Sequence, residues 1–109
     1  MPVAHMDGEP FRLPPNLTVR AINAVQQEML QFIAEKSAMT LQLDGDYQVD
    51  ISFIQLVEAA RIYAGSAGKP IALSAPASGS LLDTLERAGF LEGMNADDAK
   101  FWLHEGVIQ

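Results

Sequence analysis

The chain has 109 residues, enough for one domain with one hydrophobic core, since folded domains commonly run ~100–150 residues. Its 14 acidic residues against 7 basic ones leave a formal net charge of −7, a field that repels phosphate backbones and anionic headgroups and so argues against nucleic-acid or membrane-surface partners. With no cysteine, disulfides and thiolate metal sites are excluded.

The opening stretch, MPVAHMDGEP, has neither a basic n-region nor an apolar h-region, so no signal peptide is expected. Residues 1–9 read as a flexible N-terminal tail. No apolar run approaches the ~20 residues of a spanning helix, and the expectation is a cytoplasmic protein without membrane insertion. Phe11 and Leu13, the pair Pro14-Pro15, then Leu17 and Val19 predict an edge strand, a proline-enforced turn and a second brief strand.

From Arg20 to Lys36, Ile22, Val25, Met29, Phe32 and Ile33 recur mostly at spacings of three and four, the period of an amphipathic helix. Met39 to Leu43 alternates apolar and polar and predicts a strand, which ends at the turn-forming Asp44-Gly45-Asp46. A second helix is expected from Ser52 to Ala64, closed by Gly65 or Gly68, because Ser52 followed by Gln55 has the capping-box spacing. Ile71, Ala72 and Leu73 form a short buried strand. A third helix runs from Ser78 or Ser80 to Ala88 and is ended by Gly89. Asn95 and Asp98 have the spacing of an N-terminal cap for a last helix through Phe101 and Trp102. Those adjacent aromatics cannot both face one side of it, so one is expected to be exposed.

Strands that alternate with helices imply parallel neighbours joined by right-handed crossovers. The predicted fold is α/β: a small mixed, largely parallel sheet of about four strands flanked by helices.

Little in the sequence points to enzyme chemistry. The two histidines, His5 in the tail and His104 in the last helix, belong to no triad-like motif. The acidic group Asp44, Asp46 and Asp50 lacks the later positions of a calcium loop and reads as a solvated turn. Gly65 to Pro70 has the wrong order for a phosphate loop, and its glycines follow a helix instead of preceding one. Ala77 to Ser80 offers only a generic helix start. A non-enzyme with no cofactor and no metal is expected.

The segment Val49 to Ala60 carries the most information. Asp50, Ser52, Ile54, Gln55, Leu56 and Val57 resemble the signature of the STAS family, the anti-sigma-factor-antagonist fold, in which an aspartate and a serine precede a helix rich in Leu. Leu17-Thr18-Val19 before the first helix resembles the family's L-T-V. Gly68 to Leu73 resembles its G-x-x-[IL]-x-L strand, and Ser80 to Leu91 its third helix and end. The likeness covers residues 11–92, in the family's order. The chain departs from the pattern at Ile51, at Phe53 in place of a glycine, and at Gln42 in place of a strand aspartate.

The resemblance implies a STAS domain over 10–92 with 93–109 as a C-terminal helical appendage. It implies a signalling module that acts by protein–protein interaction through Asp50, Ile51, Ser52, Phe53 and Gln55, with Ser52 as the phosphorylated residue. The implied partner is a kinase, an anti-sigma-like protein in a chemotaxis or two-component setting, or the ATPase of a lipid-transport ABC complex. A small-ligand sensor is a further alternative. The oligomeric state is left open, a dimer among the choices. Read from local sequence alone, Ser52 is a helix cap, Asp50 an electrostatic aid to the helix start and Phe53 a core residue; both sets of roles remain open at this level.

Overall fold

The computed structural model describes residues 9–43 and 45–105; residues 1–8 of the expected tail and Asp44 lie outside them, whereas Glu9, expected in the tail, begins the first strand, where it pairs with Met39. In chain order the elements are β1 (Glu9–Arg12), β2 (Asn16–Leu17), α1 (Ile22–Glu35), β3 (Met39–Gln42), β4 (Gln48–Val49), α2 (Ile51–Ser66), β5 (Ile71–Leu73), α3 (Gly79–Arg87) and α4 (Ala96–Leu103). All three strand pairings are parallel: β3 lies between β1 and β5, and β2 pairs with β4. Parallel neighbours cannot be joined by a hairpin, so the helices α1 and α2 serve as the crossovers.

The α/β class and the parallel sheet follow the sequence. The strands divide into two sheets, of three and two, because Pro14 and Pro15 break the ladder and turn the chain out of the first sheet. The Gln48 amide donates to Pro15 O at 2.8 Å, and so the second, two-residue ladder begins directly after that turn. Its register sets Leu17 opposite Val49, which brings the residues just after each strand side by side.

The core gathers one face of each element. Met39 and Leu41 of β3 point inward at the period of two expected for a strand. Val25, Met29 and Ile33 line the inner face of α1, and Phe53, Ile54, Val57, Ala60 and Ala64 that of α2. Phe11 of β1 meets Phe32 of α1 edge-on, with ring centroids 5.2 Å apart. Leu81 and Leu85 add the buried side of α3.

Two helices depart from the sequence reading. Helix α2 starts one residue earlier than expected, because Asp50, not Ser52, is its N-cap, and it continues through Gly65. Gly68, at φ +72°, turns the chain, and the Lys69 amide donates back to Ala64 O at 2.9 Å.

The second departure concerns α4. Asn95 Oδ1 caps it by accepting from the Asp98 amide at 2.8 Å, as expected. Both aromatics, however, are buried: Trp102 completely, and Phe101 almost so. They escape the one-face limit because the helix is covered from two directions. Trp102 enters the core, and the Arg61 guanidinium of α2 lies over the Phe101 ring, 4.3 Å from its centroid. The Ala77 amide donates to Trp102 O at 2.8 Å, which further ties α4 to the loop between β5 and α3.

Candidate functional site at the start of α2

The residues singled out by sequence meet at the junction of β4 and α2. Asp50 stands in extended conformation (φ −132°, ψ −173°), so its side chain folds back over the first turn. Its Oδ1 accepts from the Ser52 amide at 2.9 Å and also from the Ser52 hydroxyl. Its Oδ2 accepts from the Val19 amide at 2.9 Å, 31 positions away in sequence. The Ser52 hydroxyl, helped by the backbone amides of Val19, Ser52 and Phe53, holds the Asp50 carboxyl below its usual range against the opposing effect of burial. The group is therefore an anion at neutral pH.

Around this pair the surface is mixed. Ser52 is half-buried, Gln55 exposed, and the aliphatic side chains of Ile51 and Val19 are 41% and 67% exposed. Phe53 is fully buried, so of the five expected contact residues it belongs to the core and not to the surface; the position that resembles a family glycine is filled by packing. Beside Asp50 runs an open groove of about 400 Å³ between α2 and α3, lined by Val49, Asp50, Ile51, Thr84, Arg87 and Ala88. Arg87 contributes a cationic side chain to that lining. The wall is fixed by the Val49 amide, which donates to Ser80 Oγ at 3.2 Å, and by Tyr47, whose hydroxyl donates to Ser78 O at 3.0 Å. Ser78, the N-cap of α3, and Ser80, in its first turn, are thus engaged in holding β4 and the preceding Tyr47 in place.

The other residues considered lie elsewhere. Asp46 is exposed in the turn before β4, and among the described residues no group of acidic and histidine side chains could hold a metal ion. Lys69, in the glycine turn, donates to Ile33 O at 2.6 Å and so caps the C-terminal end of α1. His104 sits in left-handed conformation (φ 56°) at the end of α4 with Nε2 3.2 Å from Leu73 O, while His5 lies outside the described residues.

A second polar cluster was not foreseen. Arg61 Nη1 bonds Glu58 Oε2 at 2.9 Å and Asp98 Oδ1 at 3.1 Å, and Trp102 Nε1 donates to the same Glu58 oxygen at 3.1 Å. Only the i,i+3 spacing of Glu58 and Arg61 hints at it in sequence; the partners on α4 are 37 and 44 positions away. The cluster joins α2 to α4, opposite in role to the open junction at Asp50. Among the described residues no helix is long and apolar enough to cross a membrane.

No protein-family model, no curated protein and no solved structure matches the chain.

Proposed function

We propose that the chain is a non-enzymatic, cytoplasmic regulatory module of the anti-sigma-factor-antagonist type, which binds another protein through the start of α2 and is switched by phosphorylation of Ser52. One observation carries the reading: a half-buried serine stands in the first turn of a 16-residue helix, at its positively polarised end, next to the exposed Ile51, and the Asp50 carboxylate that it bonds also bonds the backbone of the exposed Val19. The likeness of Asp50, Ser52 and the apolar residues after them to the STAS signature points the same way.

Aliphatic side chains shown to water gain by being covered, which makes this edge a contact surface. Phosphorylation would add close to two negative charges in the middle of it. Those charges suit the helix end, yet they sit against the Asp50 carboxylate and beside the aliphatic contact, so a partner docked through an apolar face is released. The −7 net charge of the chain favours a protein partner with a basic or neutral face over nucleic acid.

The test is to incubate the purified chain with nucleoside triphosphate and the kinase fraction of its own cells, then map modified residues by mass spectrometry. Phosphate on Ser52, with loss of the bound partner, is the expected result. Phosphate never found there, together with Ser52→Ala binding an ATPase as well as the parent chain, would replace the switch with a constitutive subunit of a transport complex.

A further inference from the structure

The Asp50 carboxylate connects two parts of the site that are distant in sequence. One oxygen serves the first turn of α2, through the amide and hydroxyl of Ser52. The other holds the amide of Val19 in the turn that leads into α1. That turn has few other supports. The Thr18 amide and hydroxyl both bond Asn16 Oδ1, two residues back, and the Ala21 amide bonds Thr18 O at 2.9 Å, so both contacts are local. Ala21, the N-cap of α1, supplies no side-chain cap. Among the described residues, Asp50 is the side chain from another element that bonds the backbone of this turn, and Val19 is the large apolar side chain that the turn displays.

We propose that Asp50 is a clasp through which the state of Ser52 sets the position of Val19: when Ser52 is phosphorylated, the carboxylate is pushed off and the Thr18–Ala21 turn is released, so that half of the apolar contact surface disperses. The inference rests on the reading of Ser52 as the phosphoacceptor and adds how the modification acts. In the transfer, the γ-phosphorus of a nucleoside triphosphate forms a bond to Ser52 Oγ, the bond to the departing nucleoside diphosphate breaks, and the hydroxyl proton passes to a base of the kinase. The hydroxyl that donated to Oδ1 is then an ester oxygen with no proton to donate, and it carries a dianion. Acceptor faces acceptor and charge faces like charge, so the carboxylate must turn away. Both of its oxygens are on one rigid plane, and turning it to relieve Oδ1 takes Oδ2 from the Val19 amide.

The measurement is hydrogen exchange at the Val19 amide by NMR in the full chain. Three forms are compared: the parent, the chain with phosphoserine installed chemically or genetically at Ser52, and Asp50→Asn. The amides of Leu41 and Ile54, buried in β3 and α2, report that each form is folded. A charge-assisted hydrogen bond is lost, so exchange at Val19 should quicken about tenfold or more in both altered chains while Leu41 and Ile54 keep their protection. Val19 exchange unchanged in the phosphorylated chain overturns the clasp. Because the phosphate is installed without a kinase, that failure is separate from failure to find phosphate on Ser52 in cells.

Discussion

At the residue scale, Asp50 takes the role that local sequence gave to Ser52. Both are good capping residues, and the spacing of Ser52 to Gln55 is that of a capping box, so a one-dimensional reading had two registers to choose between. The fold decides for Asp50 because its carboxylate satisfies the Ser52 amide, the Ser52 hydroxyl and the Val19 amide together, and a serine in its place has one oxygen. Asp50→Ala should therefore lower stability by about 1–2 kcal/mol, at the upper end for a lost cap, measured by urea unfolding. The effect depends on pH in a defined sense. The folded-state pKa of Asp50 lies below its unfolded value, so its contribution is complete above the unfolded carboxyl pKa of about 4 and is lost as the pH falls through the folded value. The stability difference between the parent chain and Asp50→Ala should be constant near neutrality and shrink below about pH 4. A difference that grows on acidification would contradict this assignment.

At the scale of elements, the periodic helices and the alternating strand were legible from sequence, because burial of one face imposes a regular pattern on neighbouring residues. The boundaries of α1 and β3 fall within one or two residues of the expected ones. What was not legible is what joins the elements. The Lys69–Ile33, Arg61–Asp98 and Trp102–Glu58 bonds span 36, 37 and 44 positions, and nothing in a local window marks a residue as the partner of one so far away. The same limit hid the burial of both α4 aromatics, since the covering Arg61 belongs to α2. These contacts make α4 part of the packed body. Trp102→Ala should cost about 3–5 kcal/mol, as for a large aromatic removed from a core, and should shift the urea midpoint accordingly. Asp98→Ala removes one partner of a half-exposed ion pair whose cation keeps Glu58, so its cost should stay within about 1 kcal/mol. Equal effects from the two substitutions would mean that α4 is held by charge and not by its buried ring.

At the scale of the whole molecule, α2 buries Phe53, Ile54, Val57, Ala60 and Ala64 against the rest of the fold, and the side turned away from them keeps apolar residues that stability does not require. Ile51 and Ile62 are 41% and 76% exposed. Eleven residues make just over three helical turns, so the two side chains lie on one face, about 16 Å apart along the axis. Gln55 and the Arg61-paired Glu58 lie between them on that face, and Tyr63 flanks it, half exposed. A partner that grips the start of α2 is therefore led along the helix over Ile62. This separates binding from folding. Ile51→Asp and Ile62→Asp replace side chains that are already in water, so each should change unfolding free energy by no more than about 0.5 kcal/mol. Each also adds a charge to the same −7 surface and removes an aliphatic contact, so affinity for the partner captured by the parent chain should fall by about tenfold or more, the loss usual for a central apolar contact. A shift in the urea midpoint as large as that of Trp102→Ala would place these residues in the core economy of the fold. An unchanged affinity for both variants would move the contact surface away from α2 altogether.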